Sequence, residues 1–69
     1  MTKLPSSEKV IRVLEDHDFI FKSQKGSHRK YVNGSQIVIV PAQKREIPLG
    51  TLKSISRQSG IEYSRFLNL

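Results

Sequence analysis

The sequence predicts an α+β fold in the order α-β-β-β-α, a three-stranded antiparallel sheet with two helices on one face. Three observations predict it. Residues 8–16 repeat their apolar positions at the helical period, three short runs follow that are divided by Gly26-Ser27 and Asn33-Gly34, and a second amphipathic segment lies beyond Pro48.

Ser6 or Ser7 caps a first helix that starts near Glu8, with Pro5 upstream as the end of an extended entry. At about 100° per residue, Val10, Ile11, Val13 and Leu14 form one stripe, and Glu8, Lys9, Arg12, Glu15 and Asp16 fall opposite. The helix ends around His17 and Asp18, where an imidazole suits the free carbonyls of the last turn, a structural role. Phe19-Ile20-Phe21 opens a first strand that runs to about Gln24. Gly26 and Ser27 turn the chain into a second strand, His28 to Val32. Asn33-Gly34 then supplies the positive φ angles of a tight hairpin. The third strand, Gln36 to Val40, is closed by Pro41, and residues 42–47 form a polar connection that carries Lys44 and Arg45 out into solvent. From Pro48 to Thr51 a second helix opens, with Leu52, Ile55, Ser56 and Ser59 on one face and Gly60 at its left-handed end. A short terminal helix within residues 61–69 brings Tyr63, Phe66 and Leu67 back to the core. One sheet face stays open, and the topology is that of the double-stranded RNA-binding domain.

With 69 residues the chain supports one compact domain, 1–69, with little spare stability. It has no cysteine, so disulfides, thiolate nucleophiles and Cys-based metal sites are excluded, and its longest apolar run, Ile37 to Val40, is far too short to span a membrane. These features predict a soluble, cytoplasmic protein with no membrane association. The net charge is +6, and it is concentrated: residues 22–45 contain Lys22, Lys25, Arg29, Lys30, Lys44 and Arg45 and no acid, whereas the basic and acidic residues elsewhere balance. One sign collected in one segment is the footprint of a polyanion binder, since neutralising phosphates releases condensed counterions.

Few residues offer chemistry. His28 follows the Gly26-Ser27 turn between Lys25 and Arg29-Lys30, and imidazole is the side chain that exchanges a proton near neutral pH. On this evidence His28 is either a proton-transfer group or an exposed polar residue at a strand end. No carboxylate pair and no His-x-x-x-His spacing accompanies it, so the sequence predicts no metal and no cofactor. Ser27 lacks a Gly-x-Ser-x-Gly elbow and reads as a turn or phosphate-contact residue. Metal-free RNA cleavage needs little more, because the ribose 2′-hydroxyl is the nucleophile and the protein supplies proton transfer and positive charge. Lys25, Arg29 and Lys30 are the nearest candidates for phosphate contacts, with Lys22, Lys44 and Arg45 behind them. Tyr31 suits either a base-stacking or a core position.

At Lys25-Gly26-Ser27-His28 the chain resembles the HicA, or YcfA-like, toxin family. The likeness continues through Ser7-Glu8-Lys9-Val10-Ile11, Leu14, Phe19, Val40-Pro41, Glu46-Ile47, residues 50–55, Gln58-Ser59-Gly60-Ile61 and Phe66-Leu67. The resemblance implies an mRNA-cleaving toxin that slows growth, with His28 catalytic on a double-stranded RNA-binding-like fold and a HicB-type antitoxin masking it. Two positions depart from the family pattern. Asp18 stands where many members have Gly, and Ala42-Gln43 where many carry a His. Two other readings fit the same residues: a non-catalytic RNA-binding module, and an interaction subunit whose open sheet face is covered by a protein.

Overall fold

The structure, a computed structural model, describes residues 3–67. Its elements are α1 (Ser7–Asp16), β1 (Ile20–Lys25), β2 (His28–Asn33), β3 (Gln36–Pro41), α2 (Leu49–Ser59) and a short 3-10 helix, Tyr63–Phe66. The order α-β-β-β-α and the antiparallel sheet β1-β2-β3 match the expected fold. Asn68 and Leu69, with which the expected terminal helix closes, lie outside the described residues.

Local chemistry sets each end of α1. Extended Ser6 accepts a hydrogen bond from the Lys9 amide at 3.1 Å, which satisfies a first-turn donor. At the other end the Phe19 amide donates to Leu14 O at 3.0 Å and the Asp18 amide to Glu15 O at 3.1 Å, the two bonds of a Schellman motif. Asp18 takes the left-handed position, φ 69°. Phe19 therefore leaves the helix buried beside Leu14 and does not begin the strand, so β1 starts at Ile20.

Both hairpins turn on a Gly-Ser pair. Asn33 pairs with Gln36, so the central residues are Gly34-Ser35, and of these only Gly34 has positive φ, 60°. That is the pattern of a type II′ turn, in place of the type I′ turn expected at Asn33-Gly34. Asn33 stays in the strand and donates from Nδ2 to His17 O at 3.2 Å. Gly26-Ser27 repeats the arrangement between Lys25 and His28, with Gly26 at φ 59°. Between Phe21 and Ser23 the β1 ladder shifts by a bulge that leaves Lys22 without a cross-strand partner.

The core lies between the helices and one sheet face. It gathers Val10 and Leu14 of α1, Leu52 and Ile55 of α2, Tyr31, Val38 and Val40 of the sheet, Phe66 of the 3-10 helix, and Phe19 and Ile47 between elements. Tyr31 is 3% exposed and meets Phe21 edge-on, with ring centroids 5.8 Å apart. The base-stacking alternative for Tyr31 is thereby overturned, since its ring faces the helices. α1 and α2 both pack on β3, whereas β1 is exposed along its length.

Residues 42–47 do not stand free as the sequence suggested. Ala42 and Ile47 are buried, and four main-chain amides tie the segment down. The Ala42 amide donates to Ser27 O at 2.6 Å, the Ile47 amide to Pro5 O at 2.7 Å, the Ser7 amide to Lys44 O at 3.0 Å, and the Lys44 amide to Ser7 Oγ at 2.9 Å. The buried Ser7 hydroxyl also donates to Pro41 O at 2.6 Å. A run of four polar residues hid this strap, because the side chains of Gln43, Lys44, Arg45 and Glu46 all reach solvent while the main chain is tied down.

Candidate nucleic-acid interface

Cross-strand partners share a face and successive residues alternate, so the register divides the sheet into two surfaces. Tyr31, Val38 and Val40 point to the helices. The open face carries three rows: Lys25, His28 and Pro41; then Ser23, Lys30 and Ile39; then Ile20, Val32 and Ile37. The bulge at Lys22 decides this arrangement. Strict alternation from Ile20 would place Lys22 and Gln24 on the open face, whereas the extra residue brings Ser23 and Lys25 there.

His28 is the first residue of β2 and is exposed, directly after the turn that the left-handed Gly26 makes possible. Around it lies an open concavity of about 670 Å³, lined by Ser23, Lys25, Gly26, Ser27, His28, Lys30 and Ile39. Of the residues expected from sequence, Lys25, Ser27, His28 and Lys30 are thus brought together. The others are not. Arg29 alternates to the opposite face, pairs with Gln24 and Val40 in the register, and donates from Nε to Gln24 Oε1 at 3.2 Å. Gln24 in turn donates from Nε2 to Gly26 O at 2.9 Å, so Arg29 braces the turn from behind. Lys22 sits in the bulge and does not line the concavity. Lys44 and Arg45 line a separate hollow with Ser6, Ser7, Glu8 and Gln43 at the start of α1. The two hollows share no residue.

Ile39 and Ser23 are the lining residues that sequence reasoning missed. The hairpin register was the available signal, since a two-residue turn at Gly34-Ser35 puts Ile39 opposite Lys30. His17 takes the structural position expected of it, capping α1 with Nδ1 2.8 Å from Val13 O. Among the described residues no group of three or more His, Cys, Asp or Glu side chains comes together, and no helix is long and apolar enough to cross a membrane.

No curated protein matches this chain. A family model described as "HicA toxin of bacterial toxin-antitoxin" matches residues 7–61, from the first residue of α1 to just beyond Gly60, and so includes every element of the sheet and the turn before His28. With most of its length matched, the chain is a member of the HicA toxin family of bacterial toxin-antitoxin systems.

Proposed function

We propose that this toxin is a metal-independent endoribonuclease that cleaves mRNA, with His28 as the general acid or base. The observation that carries the reading is the gathering of His28, Lys25 and Lys30 on one open sheet face of a HicA-family chain. The ribose 2′-hydroxyl attacks the adjacent phosphorus and the 5′-oxygen of the next nucleotide leaves, which yields a 2′,3′-cyclic phosphate. His28 moves a proton in this exchange, and the ammonium groups of Lys25 and Lys30 stabilise the charge that builds on the phosphoryl oxygens. Ser27 offers a hydroxyl to the same phosphate from the turn. Cleaved messages halt translation and growth in the cytoplasm.

We infer that a HicB-type antitoxin neutralises the toxin by covering the same surface. An acidic partner laid over the Lys25-His28-Lys30 face is electrostatically favoured and competes with RNA for the same side chains. Cleavage of a mixed RNA substrate in EDTA, comparing wild type with His28→Ala from pH 5 to 9, tests the reading. EDTA-resistant cleavage with a cyclic phosphate product, absent in the variant, is the expected result. RNA binding without cleavage by either protein would make the chain a binding module instead.

A further inference from the structure

The open face holds more than the proposed proton transfer uses. Ile39 lines the same concavity as His28 and is 36% exposed, although its neighbours Val38 and Val40 are fully buried. It lies in the row Ser23-Lys30-Ile39, next to the row Lys25-His28-Pro41. Two residues along a strand is about 7 Å, comparable with the reach from a phosphate across its ribose to the base. An anion held between Lys25 and His28 therefore has an aliphatic surface one row away, with a hydroxyl at the far side of that row. A ligand with a negative phosphodiester beside a flat group of apolar face and polar edge matches both rows at once. A nucleotide unit has that shape.

We propose that Ile39 and Ser23 form a nucleobase subsite next to the cleaved phosphate. The base lies over Ile39 with its polar edge toward the Ser23 hydroxyl, and Lys30, between them in the row, neutralises the adjoining phosphate. The proposal rests on the RNA reading of His28 given above. No aromatic ring takes part, because Tyr31 is buried and Phe21 pairs with it on the helix-facing side. Aliphatic contact accepts any base face, so the subsite grips a base with little regard for its identity.

The test is binding of a fluorescent hexanucleotide of 2′-O-methyl RNA, which cannot be cleaved through its blocked 2′-oxygen, beside an abasic oligomer of the same length. Ile39→Thr keeps a β-branched side chain in β3, and it is expected to weaken the base-bearing oligomer by about 3- to 10-fold. Its affinity for the abasic oligomer should stay unchanged. Ser23→Ala, at an exposed position whose loss cannot unsettle β3, should show the same selectivity at about 2- to 5-fold. Leu49→Ala, an exposed apolar residue on α2, should alter neither. Equal loss on both oligomers, or no loss from Ile39→Thr and Ser23→Ala, overturns the subsite. Failure of the wild type to bind either oligomer overturns it together with the RNA reading, and leaves the face to a protein partner. Selective loss in a protein that never cleaves natural RNA keeps the subsite and removes only the catalytic role of His28.

Discussion

Three single residues make the sharpest demands on the chain. Under the proposed mechanism, His28→Ala removes a proton-transfer group from an exposed position, so cleavage should fall by about 10²- to 10⁴-fold while RNA affinity is kept. Single-turnover cleavage and equilibrium binding on the same RNA check this. Ser7 is a different kind of residue: its buried hydroxyl donates to Pro41 O and accepts from the Lys44 amide. Ser7→Ala removes both bonds, at a cost of roughly 1–3 kcal/mol in total. At roughly 4–8 °C per kcal/mol for a domain of this size, the loss is easily read as a drop in Tm by calorimetry. Asp18 holds a left-handed conformation that an L side chain adopts at some strain. Asp18→Gly, which removes the side chain from this left-handed position, is expected to stabilise the fold by about 0.5–1 kcal/mol, measured by urea unfolding.

Among the elements, the helices and hairpins were legible in sequence because each has a local cause. The Val10-Ile11-Val13-Leu14 stripe, the Ser6 cap and the Gly60 terminus act within one or two turns of chain. What stayed hidden is non-local or off-period. The bulge at Lys22 leaves no mark in the alternation, yet it moves Lys25 onto the face of His28 and Lys22 away from it. The strap at 42–47 depends on a hydroxyl more than thirty positions upstream. His28 itself was found through its turn and its charged neighbours, whereas Ile39 required the register. β1 differs from the other strands in having no buried residue. Its amides should be the first of the sheet to lose protection in hydrogen exchange, ahead of those of β3, resolved by NMR.

At the scale of the whole molecule, positive charge is spread over the middle of the sequence but not over one surface. Lys25 and Lys30 share the open face, Arg29 lies behind the turn, and Lys44 and Arg45 edge another hollow. RNA binding should therefore respond unequally to the loss of each charge. Lys25→Ala and Lys30→Ala should each reduce the slope of log K against log salt by about 1, with Lys44→Ala leaving it unchanged. Titration of the same oligomer at several salt concentrations separates these outcomes. An equal effect of Lys44→Ala would extend the RNA track around the end of the sheet.

The attachment of α1 to β3 also governs the order in which the chain takes shape. The hairpin holding His28 closes between residues a few positions apart, but α1 finds its docking surface only when β3 and the Pro41–Lys44 segment exist. On a ribosome adding about 5–20 residues per second, α1 waits roughly 1–6 s after its own synthesis before that surface has been made. During this interval its Val10 and Leu14 stripe has nothing to cover it. A chain built this way seats its first helix late in its own synthesis, after β3 has arrived to hold the sheet against it.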